Sequence, residues 1–312
     1  MSDSTVSVLI AVPITPAMIA PGTTIAEPDP NVGEALWVSG GTYVEGDERT
    51  RGQLVYYCVQ NHTGRTTPPE TDGSYWLNKR PTNRAAPFDY YKSTAARATG
   101  SLTFVVKPGF FTDLVLYGAV GDRVQATVRQ GTGGPVVEGG ELDEDLWEQA
   151  AGFWELMFAP LGVRDKVELN DIALHPDAEL TVTITAAAGS TVELGTLLVG
   201  EWRSLTGPGG GAEYGAEAEP KSYSYIKFDE DGSFEIRRRP GATDITVPAE
   251  LKADQAEYAV EMLKLVQDQP VAFRATDIPG YGHLNGMGLV TGAVRADKSK
   301  LAKANFRVKG IV

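Results

Sequence analysis

Few side chains in this sequence have the types and spacing that chemistry needs. The three histidines, His62, His175 and His283, lie in different regions, and none has a carboxylate or a second histidine at metal-ligand spacing. The single cysteine, Cys58, sits in the apolar run LVYYCVQ. It has no partner for an internal disulfide and no CxxC neighbour, so it reads as a small buried hydrophobe of a chain made in a reducing cytoplasm. No GxSxG elbow or cysteine-centred signature marks a nucleophile. GTGGPVVEGG and GPGGG are glycine-rich, but no Lys-Ser/Thr follows either, so neither reads as a phosphate loop. Asp229-Glu230-Asp231-Gly232 lacks the register and late glutamate of a calcium loop and reads as a hairpin turn. Asp143, Glu144 and Asp145 would serve hydrolysis only as carboxylates facing others across a cleft; as a local run they read as a helix start or a solvated face. The expectation is no catalytic residue, no metal and no cofactor.

What remains is aromatic. The stretch GDERTRGQLVYYCVQNHTGRTTPPETDGSYW, residues 46–76, follows Tyr43 and carries Tyr56, Tyr57, Tyr75 and Trp76. Sugars stack on exposed aromatic faces, which makes Tyr43, Tyr56, Tyr75 and Trp76 the candidates for a carbohydrate platform. The competing use is structural, because a module of some forty residues needs most of its aromatics to make a core at all.

The elements that position these residues follow from the whole chain. Its 312 residues suit two or three domains, and 42% hydrophobic with 22% charged content is ordinary for a folded protein. A net charge of −13 excludes a nucleic-acid surface, and the run Arg237-Arg238-Arg239 is too short to reverse that. The N-terminus has no basic region, and Pro13 and Pro16 interrupt its apolar stretch, so no classical signal peptide is expected. No apolar run is long enough for membrane insertion.

The chain divides by composition into an N-terminal arm (1–35), a small aromatic β module (36–80), a β-sandwich of roughly eight strands (81–206), a Gly/Ala/Glu-rich linker (207–220) and a C-terminal α+β domain (221–312). TVSVLIAVPIT in the arm reads as a strand before a Pro-rich connection, packed on a neighbouring subunit or in the chain's own sheet. In the sandwich, LTVTIT sets Leu180, Val182 and Ile184 on one face and Thr181, Thr183 and Thr185 on the other. ELDEDLWEQAAGFWELMFAP has a helical look that Gly152 and the aromatics leave ambiguous. In the last region SYSYIKFDEDGSFEIRRRP reads as a hairpin. PAELKADQAEYAVEMLKLVQDQP reads as an amphipathic helix bracketed by Pro248 and Pro270, with Tyr258, Met262, Leu265 and Val266 at helical spacing. The fold class expected is mainly β and multidomain.

The aromatic module resembles the small carbohydrate-binding modules attached to bacterial chitinases. Trp37, Tyr43, Gly46, Asp47, Tyr57, Thr63, Gly64, Pro68 and Trp76 fill the places of that pattern. Where chitin-binding versions carry exposed aromatics after the second tyrosine, this chain has Cys58, Val59, Gln60 and Asn61. That variant, ending in His62-Thr63, is similar to the form in bacteriophage virion proteins. Downstream, Asn83, Arg84, Phe88 and Asp89, with Leu194-Gly195 and Gly200-Glu201, resemble tail-associated phage proteins. In those proteins the Asn-Arg and Phe-Asp precede a jelly-roll, galactose-binding-like sandwich, the Leu-Gly and Gly-Glu pairs lie near its end, and the C-terminal hairpin-plus-helix region resembles their last domain. The resemblance implies a non-enzymatic structural component of a phage virion (tail, tail tip or baseplate), a homo-oligomer among other virion proteins and made in the host cytoplasm. Arg84, Phe88 and Asp89 are then expected at the junction of module and sandwich. The alternative is an adhesin for a host-surface glycan or receptor, using Tyr43, Tyr56, Tyr75 and Trp76. A cell-wall glycan hydrolase rests on the chitinase analogy alone and comes last.

Overall fold

Period-two alternation builds most of this protein. In the strand Ala178–Thr185, Leu180, Val182 and Ile184 are buried while Thr181, Thr183 and Thr185 stand half-exposed, which is what one covered sheet face requires. The computed structural model describes residues 5–89, 94–148, 152–158, 162–164, 166–207, 210–228, 233–237, 241–278 and 280–311, and it is mainly β. The chain forms two compact units: Val12–Val199, and Met1–Ala11 with Gly200–Val312.

The first unit holds the sandwich and the module. Its sandwich strands, in chain order, are Ala96–Thr99, Ser101–Val106, Asp113–Val120, Arg123–Gln130, Val136–Asp145, Lys166–Leu169, Ala178–Thr185 and the first part of Thr191–Ser204. One sheet has the order fifth, fourth, seventh, second; the other has sixth, third, eighth, first. The sheets share a core in which Leu102, Phe104, Leu114, Leu116, Val124 and Leu194 are fully enclosed. Residues 18–24 run along the strand Ser101–Val106, with Ala20 N–H donating to the Val105 carbonyl (2.8 Å) and Thr24 N–H to that of Thr103 (2.9 Å). That segment covers an edge which would otherwise offer unpaired backbone groups.

The acidic run Asp143–Asp145 does not start a helix. It ends the strand Val136–Asp145, and among the described residues of this stretch only Phe153–Phe158 is helical. The alternation of Glu141, Asp143 and Asp145 with Leu142 and Leu146 is a strand period, which outweighs the helix propensity of the acids.

In the second unit, the end of Thr191–Ser204 pairs with Ser7–Ala11. The order continues through Pro270–Arg274, Asn285–Lys298, Leu301–Gly310 and Gly241–Lys252, all antiparallel. The N-terminal strand therefore sits in the chain's own sheet. The Gly/Ala/Glu-rich stretch is not structureless, since Gly211–Ala212 and Glu217–Ser222 both pair with Gly241–Lys252. Pro248 lies in that last strand, and the helix is shorter than expected, Ala256–Leu265. It packs through Ala256, Ala259, Met262 and Leu263, with Val266 just beyond; Tyr258 and Leu265 are exposed. The expected stripe was thus rotated, because small alanines allow the closest approach of helix to sheet. Tyr225–Phe228 and Phe234–Arg237 form a separate two-stranded hairpin. Its Asp229–Gly232 turn, and Arg238 and Arg239 after it, lie outside the described residues. Among the described residues no helix is long and apolar enough to cross a membrane.

Candidate functional site

The module is a three-stranded sheet, Glu48–Arg51, Leu54–Cys58 and Trp76–Pro81, with Thr42–Tyr43 paired to His62–Thr63 beside it. Its first hairpin turns through Gly52 (φ 59°) and Gln53 (φ 67°), the double left-handed geometry that matches strand twist. Tyr43, Tyr56, Cys58 and Trp76 are buried at its centre. Tyr43 meets Trp76 edge-on at 5.1 Å, and its hydroxyl accepts from Val38 N–H (2.7 Å) and donates to the Val38 carbonyl (3.0 Å). Gly41 lies so close to the Tyr43 ring that a Cβ there would stand 2.8 Å from it, so only glycine fits. The His62 ring is enclosed by Tyr43, Tyr75 and Trp76 at 5.2–5.4 Å.

Of the four carbohydrate candidates, Tyr43, Tyr56 and Trp76 are enclosed, and Tyr75 is half-buried. The Arg65 guanidinium lies 3.8 Å over the Tyr75 ring and is held there by Asp72 through two bonds of 2.8 and 3.1 Å. Burial pushes the Cys58 thiol pKa up, and the protonated Sγ donates to the Gln60 carbonyl (3.1 Å). The thiol therefore stays protonated and unreactive at neutral pH.

At the junction, Phe88 meets Phe104 of the sandwich core edge-on at 5.5 Å. Asp89 Oδ2 accepts from the Thr94 hydroxyl (2.6 Å), and Arg84 lies within electrostatic reach of Glu27. The centre of the junction is a buried polar cluster that the sequence reading did not single out. Glu34, its side chain wholly enclosed, accepts from Asp29 N–H (3.0 Å), Asn83 N–H (2.8 Å) and Arg80 Nη1 (3.2 Å). Asn83 Nδ2 donates to Asp29 Oδ2 (2.6 Å) and the Arg97 carbonyl (2.9 Å), while its Oδ1 accepts from Arg97 N–H (2.8 Å). Satisfied networks of this kind fix one arrangement of the segments that supply them. The only sequence signal was Asn83 followed by Arg84; nothing local marks Asp29 and Glu34 as its partners.

Glu27 sits at the rim of this cluster. Burial, and then Glu34 and Asp29, raise its carboxyl pKa, while the Thr82 hydroxyl bond (2.9 Å) and Arg84 pull the other way. With the folded pKa above the unfolded one, the unfolded chain gives up its proton first. Stability is therefore lost as pH rises from the ordinary carboxylate range through the folded pKa. Glu27→Gln is expected to remove that loss, with melting curves diverging in its favour above this range and converging below it.

The exposed aromatics lie elsewhere. In the first unit Trp147 (45% exposed), Phe153 (67%), Trp154 (72%), Met157 (57%) and Phe158 (72%) are in solvent, with Trp154 and Phe158 stacked at 5.3 Å. Around them Asp143 pairs with Arg123, whose hydrogen bond lowers the Asp143 carboxyl pKa, and Glu144 pairs with Arg164 at 3.1 Å. In the second unit the hairpin exposes Tyr225, Phe234 and Ile236. The sequence signal was present in FWELMF, whose apolar residues leave no polar stripe for a covered helix. Compared with protein-family models, curated proteins and solved structures, the chain matches none of them.

Proposed function

We propose that this chain is a non-enzymatic structural component of a phage virion, in the tail, tail tip or baseplate, working through protein–protein assembly. The observation that carries the reading is the exposure of Trp147, Phe153, Trp154, Met157 and Phe158, with Trp154 and Phe158 stacked on each other. Apolar side chains clustered in solvent mark interaction sites, whereas scattered ones are ordinary. The net charge of −13 suits a protomer that must stay soluble before it assembles. The strand orders of the sandwich, first-eighth-third-sixth and second-seventh-fourth-fifth, support a jelly roll, consistent with the galactose-binding-like resemblance. A host-glycan adhesin is the weaker reading, since enclosure of Tyr43, Tyr56 and Trp76 leaves Tyr75 as the module's one candidate with an accessible part. A cell-wall hydrolase has only the chitinase analogy behind it.

Mass spectrometry of gradient-purified particles tests the assignment. The expected result is the chain present at several copies per particle, in a ratio set by a rotational symmetry. Its absence from purified particles would overturn the assignment.

A further inference from the structure

One strand of the second unit lacks a neighbour over half its length. Asn285–Lys298 pairs with Leu301–Gly310 from Gly288 onward, but on its other side Pro270–Arg274 covers only Asn285 to Leu289. Among the described residues nothing pairs with Val290 to Lys298 on that side. From Thr291 to Lys298 every residue is exposed except Val294, which is half-buried. Their opposite numbers one strand further in, Phe306, Ala304 and Ala302, are buried. A free edge of this kind is a template for another strand, and proteins commonly blunt it with proline or with charge. The strand Glu217–Ser222, at the end of the same sheet, carries Pro220. Val290 to Lys298 has no proline, and its charges are of both signs.

Arg295 and Asp297 lie on one face of this edge, the face of Lys303, which stands opposite Arg295 and within electrostatic reach of Asp297. Lys303 is itself held by Glu213 at 3.1 Å, with Glu250 opposite it on the next strand. Among the described residues neither Arg295 nor Asp297 has an ion pair or a hydrogen bond. We infer that this edge pairs antiparallel with the same edge of a second copy, about a two-fold axis at Ala296, so that Arg295 of each copy faces Asp297 of the other. The occupant is a second copy because Arg-Ala-Asp, read antiparallel, is its own complement. Two opposite-charge pairs form, and Lys298, the other charge in the ladder, falls opposite Val294. An axis one residue earlier would oppose Arg295 to Arg295, and one residue later Asp297 to Asp297. An axis at Val294 would leave the two charges facing Ala293 and Thr291. The strand takes up one extra residue against Leu301–Gly310 between Ala296 and Lys298. That bulge adds twist and keeps the ladder short, so the contact is weak and yields to salt and dilution. It is isologous and closes at two copies. The inference rests on the assembly reading above and names one of its surfaces.

Sedimentation velocity on the full chain at low ionic strength tests it with Arg295→Asp, Asp297→Arg and the exchange of both, Arg295→Asp/Asp297→Arg. Both side chains are exposed, so circular dichroism is expected to show all three variants folded. Each single variant sets like charges opposite each other and is expected to raise the concentration needed for association at least about tenfold. The double variant should associate like the wild type, because the pairs reform with their signs exchanged. An equimolar mixture of the two single variants should recover association as a one-to-one pair, since two carboxylates of one copy then face two guanidinium groups of the other. A merely structural role for either side chain would not give that recovery. If the single variants associate like the wild type, or if the mixture and the double variant stay monomeric, this contact is wrong while assembly itself stands. If the wild type never associates, the reading beneath it falls as well.

Discussion

Trp76→Ala is expected to unfold the small module while the sandwich stays folded. Trp76 is 2% exposed and is the largest of four residues that fill the module's centre. Removing a buried tryptophan costs about 3–5 kcal/mol, and a core of this size supplies roughly that much in total. Loss of the indole also strips the edge-on partner from both Tyr43 and His62. The sandwich core of Leu102, Phe104, Leu114 and Leu180 shares none of these contacts. Limited proteolysis should therefore cut the variant within residues 36–80 and spare the strands from Ser101 onward. Leu77→Ala, one residue along on the exposed side of the same strand, should change stability by no more than about 0.5 kcal/mol. Resistance of the Trp76→Ala module equal to that of the wild type would show that the aromatics are not its core.

Glu34→Ala should be the most damaging change at the junction. One carboxylate accepts from two backbone N–H groups and from Arg80, and its side chain is wholly enclosed. Truncation leaves the Asp29 and Asn83 N–H groups buried without that acceptor, at roughly 1–3 kcal/mol each. It also removes the anion that Arg80 faces, and breaking a buried pair costs about 3–5 kcal/mol; the partly exposed Arg80 recovers some of that through water. A net loss of about 3–5 kcal/mol by denaturant unfolding is expected, with Glu34→Gln milder because its amide oxygen still accepts. A loss below about 1 kcal/mol would mean that the cluster does not hold the junction together.

Local pattern made some of this legible. Alternation in LTVTIT identified the covered sheet face, and the turn residues of SYSYIKFDEDGSFEIRRRP identified the hairpin. Cys58 inside the apolar run LVYYCVQ identified a buried thiol. Pairings over long separations were not legible, because nothing in TVSVLIAVPIT says that Ser7–Ala11 will lie between Gly200–Ser204 and Pro270–Arg274. The helix stripe was misplaced for a related reason. Alanines at 256 and 259 carry little hydrophobic signal, yet they are the residues the sheet covers. The candidate site divided in the same way. The aromatic module was visible as a cluster, but which ring faces escape enclosure depends on His62 and Arg65, which fold over Tyr75 from a different strand and loop. Asp29 and Glu34 meet Asn83 across some fifty residues of chain, beyond any local signal.

The central claim is that this chain works by assembling with copies of itself and with neighbours, not by turning over a substrate. Sedimentation velocity of the purified full chain, from low to high micromolar concentration and at low ionic strength, tests the self-association it requires most directly. The prediction is a discrete larger species that grows with concentration and recedes as salt is added. A single 33.4 kDa species at every concentration and ionic strength would contradict it.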